Sequence, residues 1–316
     1  MNTTNDYIYL APLRGVTDRI FRNTFEKHFG KFDFLLAPFT PTVKGTFVNP
    51  SHIRDLSVEH NDCKRVIPQI IGNMPDDIFV LANHFKSMGY QSVNINMGCP
   101  QPQIIRKRRG SGMLGHPDLI KSILDKLFEN QEQVVSVKMR LGYSSAEESE
   151  KIISIFNQYP LHEVIIHPRT GIQMYSGNVD LEHFLIRSQA LKHPVVYNGD
   201  IWSLNHYKQY KQRFPHINRW MTGRGTCCNP YLLQEIRTGS AVRKDFSVIK
   251  AFHDDIFELS KERLSGPAHL LGKMKELWNY LSQLFPDSKR VLKSVQKRTS
   301  VGNYVADVEE LFRVTS

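Results

Sequence analysis

Residues Arg65 to Met97, RVIPQIIGNMPDDIFVLANHFKSMGYQSVNINM, hold one complete strand–helix–strand unit. The run 65–71 is rich in Val and Ile and stops at Gly72-Asn73, as a buried strand does. From Pro75 to Met88 the apolar residues Ile78, Phe79, Leu81, Ala82 and Phe85 fall at helical spacing, and a second strand-like run follows at 92–97. Working outward, runs of the same kind stand at 7–11 and 33–37 on one side, and at 134–140, 163–167, 194–198 and 219–223 on the other. Helical patterns lie between them, for instance Pro117 to Phe128 with Leu119, Ile120, Ile123, Leu124 and Leu127. Eight such units in about 240 residues predict an α/β fold of the (β/α)8 TIM-barrel type, since a doubly wound sheet usually needs fewer strands. After Arg243 the strand signals stop, and Ile249, Phe252, Ile256, Leu270, Met274, Leu277 and Leu281 set a helical rhythm. The expected division is a catalytic barrel over 1–243 and a small C-terminal all-α domain over 244–316.

Active sites of such barrels gather at the carboxyl ends of the strands. Here those positions are polar. They include Pro12-Leu13-Arg14 after the first run, Gln69 in the third, and Asn96 leading to Gly98-Cys99-Pro100 in the fourth. Lys138 and Arg140 interrupt the fifth run, and His167-Pro168-Arg169-Thr170 ends the sixth. Asn198-Gly199-Asp200 and Gly223-Arg224-Gly225 end the last two. Packing alone does not explain this, because barrel strands otherwise favour Val, Ile and Leu. The two final turns have the makings of a phosphate site: glycine admits close backbone approach and Arg224 adds a charge-assisted contact. Cys99, on a loop rather than in a core pattern, can act as a general acid because a thiol with pKa ~8.5 is mostly protonated at neutral pH. A lysine such as Lys138 in a barrel mouth is costly unless it meets an anion or an electron-rich ring.

The composition, 41% hydrophobic and 23% charged with a mean hydropathy of −0.37, is that of a globular protein with a sizeable core. No run of 18 apolar residues and no basic leader is seen, so a cytoplasmic protein without a membrane span is expected. Cys63, Cys99, Cys227 and Cys228 form no CxxC pair, which argues against a metal site or a disulfide framework. The net charge of +10 suggests a polyanionic partner. Residues 245–316 hold 11 basic and 10 acidic side chains, so +9 of that charge lies in 1–244. Two basic clusters stand out: Arg106, Lys107, Arg108 and Arg109 just beyond Cys99, and Lys289, Arg290, Lys293, Lys297 and Arg298 in the tail.

Taken in order, Ala11-Pro12-Leu13-Arg14-Gly15-Val16-Thr17-Asp18, Asn94-Ile95-Asn96-Met97-Gly98-Cys99-Pro100, Ser136-Val137-Lys138-Met139-Arg140, His167-Pro168-Arg169-Thr170 with Tyr175, Asn198-Gly199-Asp200 and Thr222-Gly223-Arg224-Gly225 resemble the tRNA-dihydrouridine synthase family. The resemblance implies an FMN-dependent barrel that reduces a D-loop uridine of tRNA with NADPH or NADH. Pro12, Leu13 and Arg14 would lie along the flavin, with Gln69 and Lys138 bonding its ring. His167, Asn198, Gly199, Asp200, Gly223 and Arg224 would hold the ribityl phosphate, and Cys99 would protonate the base. Asn96, Arg169 and Tyr175 would face the substrate, the two basic clusters would grip tRNA, and the protein would act as a monomer. The chain departs from many members at Leu13, Arg14 and Gln101-Pro102-Gln103. Two other readings stay open on the sequence: an FMN barrel reducing a free pyrimidine, as dihydroorotate dehydrogenases do, and a non-catalytic RNA-binding barrel.

Overall fold

The structure, a computed structural model, describes residues 6–45, 48–129 and 134–314. Most of the polar start, Met1 to Asn5, lies outside the described residues. All eight expected runs form strands, and every pairing is parallel. They are β1 (Tyr7–Leu10), β2 (Phe34–Leu36), β3 (Thr40–Pro41), β4 (Val66–Ile67), β5 (Gln69–Ile71), β6 (Ser92–Met97), β7 (Val134–Arg140), β8 (Val164–His167), β9 (Val195–Tyr197) and β10 (Arg219–Thr222). The run 65–71 appears as two strands because Pro68 has no N–H to give to the ladder. Its first half pairs with β2 and its second with β6, so this interrupted run closes the ring. β3, unforeseen in the sequence, is a short addition beside β5.

Side chains alternate along a strand, so residues two apart share the barrel interior and form layers. At the floor Glu163, just before β8, accepts hydrogen bonds from Arg219 (2.6 Å) and the Tyr9 hydroxyl (2.8 Å). Above it pack Tyr9, Leu36, Ile67, Ile165, Val196 and Met221. A polar belt crosses three strands: Gln69 Nε2 donates to Asn94 Oδ1 at 2.8 Å, and Asn94 Nδ2 to Ser136 Oγ at 2.8 Å. Lys138 and Arg140 continue the inward series from Ser136 on β7, and His167 from Ile165 on β8, toward the mouth.

Helices pack outside the ring, among them Arg19–Phe29, whose first turn is capped by Asp18 accepting from the Phe21 N–H at 3.1 Å. The tail comprises helices Phe246–Arg263, Pro267–Leu281, Ser288–Lys297 and Val301–Arg313. Phe252 sets its ring against Phe21, Phe25 and Phe29 at centroid distances of 5.6, 6.2 and 5.1 Å, and one apolar core runs from the barrel helices into the tail. Lys273 donates to the carbonyls of Gly15 (3.0 Å) and Val16 (2.9 Å) and pairs with Asp18 at 3.0 Å, strapping the tail to the loop after β1. Among the described residues no helix is long and apolar enough to cross a membrane.

Candidate active site

At the carboxyl ends of the strands lies a cavity of about 620 Å³, joined to a narrower one of about 80 Å³ between the turns after β9 and β10. Pro12, Leu13, Lys138, His167, Tyr175 and Arg224 belong to the walls of both. The wide part also takes in Arg14, Gln69, Asn96 and Cys99, and the narrow part Asn198, Gly199, Asp200 and Gly223. The dispersed strand-end residues of the sequence therefore meet in one place.

Cys99 owes its position to Asn96. The Asn96 Oδ1 accepts from the backbone N–H groups of Gly98 (3.0 Å) and Cys99 (2.9 Å), turning the chain as β6 ends. Behind it, Gly110 has φ +58, and a Cβ there would stand 2.6 Å from the Cys99 carbonyl, so only glycine fits. The Ser111 N–H (3.0 Å) and hydroxyl (3.1 Å) both donate to that carbonyl. Burial pushes the Cys99 thiol above its ordinary pKa, while a Gln101 N–H and the charges of Arg140, Arg14 and Lys138 pull the other way without cancelling it. The thiol holds its proton at neutral pH and can donate it.

The other wall is cationic. Burial, then Arg140, pushes the Lys138 ammonium down to about 7. Arg140 is brought down to about 10, chiefly by burial, and is fixed by donating to the Gly98 (2.9 Å) and Thr170 (2.8 Å) carbonyls. Burial and the surrounding cations hold His167 well below the usual histidine range, so it is neutral. Its Nε2 lies 3.2 Å from Arg169 Nη1, which can only donate, and the ring proton therefore sits on Nδ1. Arg224 donates to Asp200 at 2.7 Å and lies over the rings of Tyr175 (4.9 Å) and Trp202 (4.7 Å). Asp200 has φ +43, a conformation uncommon outside glycine, and is held there by Arg169 and Arg224. Among the described wall residues Arg14, Lys138, Arg140 and Arg224 face a single carboxylate, Asp200. Such a set suits an anionic, planar ligand, with its phosphate in the narrow arm and its ring in the wide part. Among the described residues no three His, Cys, Asp or Glu side chains are grouped to hold a metal ion.

Several predicted residues make side-chain hydrogen bonds inside the protein. Gln69 is buried between Asn94 and Asn96, and Asn96 donates to it at 2.7 Å. Arg169 is buried and gives its donors to Asp200, to the carbonyls of Ser176 and Gly177, and to His167. It acts as a strut behind the pocket. Arg106, Lys107 and Arg108 are exposed beyond the Cys99 loop, whereas Arg109 donates to Asn73 at 3.2 Å. Lys289, Arg290, Lys293 and Lys297 belong to helix Ser288–Lys297 and reach its surface, but Arg298 pairs with Asp307 at 2.6 Å. Sequence reasoning missed Phe39, which lies under the Arg14 guanidinium at 5.5 Å, and Tyr280 and Trp202 on the cavity walls. Arg140 stands out in the sequence as a charge within a strand, but its part in holding the Gly98 carbonyl does not.

Comparison with known proteins agrees with this architecture. Morphinone reductase shares the fold, with a TM-score of 0.50 at 11% identity over 78% of this chain and 94% of that chain. tRNA-dihydrouridine synthase B of Pasteurella multocida (strain Pm70) is 30% identical over 77% of this chain and 72% of its own length. The same-named protein of Yersinia pestis is 30% identical over 72% of this chain and 70% of its own. The architecture is a TIM barrel, and the similarity to these relatives makes the chain a flavin-dependent oxidoreductase. Within that class the chain belongs to the dihydrouridine synthase family, whose pattern matches residues 9–313.

Proposed function

We propose that this chain reduces a D-loop uridine of tRNA to 5,6-dihydrouridine, with FMN bound in the barrel mouth, NADPH or NADH as reductant and Cys99 as proton donor. The observation that carries the reading is a protonated thiol and four basic side chains, Arg14, Lys138, Arg140 and Arg224, on the walls of one cavity. Lys138, with Gln69, would hold the flavin ring, flanked by Pro12, Leu13 and Arg14. Asn198, Gly199, Gly223, His167 and Arg224 would hold the phosphate, with Asp200 orienting Arg224. When bound, the reduced flavin supplies the hydride that adds to C6 of uracil. Cys99 delivers its proton to C5, completing the saturation of the double bond, and the resulting thiolate regains a proton from water. Tyr175, Asn96 and the exposed Arg106–Arg108 loop would face a base extruded from its stack. Incubating the purified, flavin-loaded protein with unmodified tRNA and NADPH should yield dihydrouridine in the D-loop; tRNA left unchanged by active holoprotein would refute the reading.

The Lys138 ammonium gives a pH signature. With its pKa at about 7 in the unliganded cavity, it is mostly neutral at pH 8 and would be charged again when the hydrogen-bond acceptor atoms of the flavin ring bind beside it. FMN binding at pH 8 should take up as much as about 0.9 proton, and affinity should fall as pH rises above 7. Calorimetry in buffers of different ionisation enthalpy measures the uptake, and Lys138→Met should abolish it.

Lys289, Lys293 and Lys297, at i, i+4 and i+8, share a helix face with Arg290 next to them. Neutralising all four should flatten the salt dependence of tRNA binding, the log–log slope becoming shallower by about 0.7–0.9 for each phosphate no longer neutralised. Arg298→Gln should change the slope little, because Asp307 already occupies that guanidinium.

A further inference from the structure

A separate cleft of about 400 Å³ opens between helix Arg19–Phe29 and the end of helix Phe246–Arg263. Arg19 directly follows the loop after β1, so the cleft lies toward the same end of the barrel as the cavity. Arg19, Asn23, Arg54, His60 and Arg263 are among its walls, with Glu262 the one carboxylate there among the described residues. The neighbouring acids are engaged elsewhere. Asp55 accepts from Arg22 (3.0 Å), from Arg263 (3.1 Å) and from the Arg19 backbone N–H (2.9 Å). Asp18 pairs with Lys273 at 3.0 Å and lies 3.8 Å from Arg263.

The Arg19 Nε is buried with no hydrogen-bond partner among the described residues. Arg19 also stands at the first position of a helix, where the backbone dipole disfavours a cation. Burial, and then repulsion from Arg263, make its charge harder to hold, with the attraction of Asp55 offsetting this only in part. Arg263 is already paired with Asp55, but Arg19 and Arg54 line the same open cleft beside it, and a ligand with several charged oxygens could bridge all three.

We propose that this cleft binds a phosphate group, and that its occupant is a backbone phosphate of the RNA substrate held by Arg19, Arg54 and Arg263. The assignment rests on the function proposed above. It favours RNA over a free anion because the cleft joins a barrel-mouth loop to the tail and is lined by exposed groups, Asn23, Arg54 and His60, that a long polyanion can reach.

The test uses the full-length, flavin-loaded protein carrying Arg19→Gln with Arg54→Gln, beside a charge-keeping Arg19→Lys, Arg54→Lys pair. For the Gln pair, the log–log salt slope of tRNA affinity should become shallower by about 0.7–0.9, as when one phosphate goes unneutralised. The Lys pair should keep the wild-type slope, and reduction of the flavin by NADPH should be unchanged in both. An unchanged slope in the Gln pair overturns the proposal. So does a raised KM for NADPH with unchanged tRNA binding, which would assign the cleft to the phosphates of the nicotinamide nucleotide. If the wild-type holoprotein forms no dihydrouridine, the proposed function itself fails; if it does and the Gln pair keeps its slope, the cleft assignment alone fails.

Discussion

Replacing Cys99 with alanine should leave flavin binding and flavin reduction by NADPH intact while lowering dihydrouridine formation by about 10²–10⁴-fold, the usual effect of removing a general acid. The half-reactions separate because the thiol hydrogen is needed only when uracil is protonated. Asn96 and Ser111 fix the loop through backbone groups rather than through the sulfur, so the shorter side chain should not disturb it. Rapid mixing of the oxidised variant with NADPH, followed by a single-turnover chase with tRNA, reads both steps. Wild-type modification by the variant would mean that another group supplies the proton.

The second large effect should appear at the opposite end of the barrel. Glu163 is 1% exposed and depends on Arg219 for its counter-charge. Arg219→Met would keep much of the apolar stem and leave a carboxylate buried with only the Tyr9 hydroxyl beside it, at an expected cost of about 3–5 kcal/mol. Replacing Glu163 with Leu in the same chain should restore much of that stability, because the pair is then exchanged for apolar packing. Denaturant midpoints of the single and double variants measure both. A single variant destabilised by less than about 1 kcal/mol would show that water reaches the floor.

Much of the barrel can be read directly from the chain because each strand is a short block of Val, Ile or Phe closed by a turn former. That is a local property. The break at Pro68 is local too, since a residue without an N–H cannot serve a ladder on both sides, yet the run reads as one strand until its two partners are known. The site divides along the same line. Cys99, Lys138 and the turns at 198–200 and 223–225 announce themselves because they interrupt or end apolar runs. Tyr280, Trp202 and Phe39 carry no such signal: in sequence each is an aromatic residue like any core residue, and only the folded chain sets it against the mouth. The same holds for Asp307. Nothing near Arg298 in sequence reveals that a carboxylate nine residues on will take its charge. Asn96 and Arg169 are legible as polar strand-end residues, but whether such a group faces a ligand or braces its neighbours depends on partners from other strands.

Lys273 and Tyr280 belong to a helix that is translated after every strand of the barrel. During synthesis the ten strands can emerge and associate while the loop after β1 has no strap and the cavity lacks its Tyr280 wall. The mouth is completed only when the tail of the polypeptide arrives. An unfinished or prematurely terminated chain would thus be a barrel with an imperfect entrance and an uncovered patch of phenylalanine around Phe21, Phe25 and Phe29. Quality control by chaperones and proteases would find the defect as exposed grease, before any incomplete enzyme had a substrate to act on.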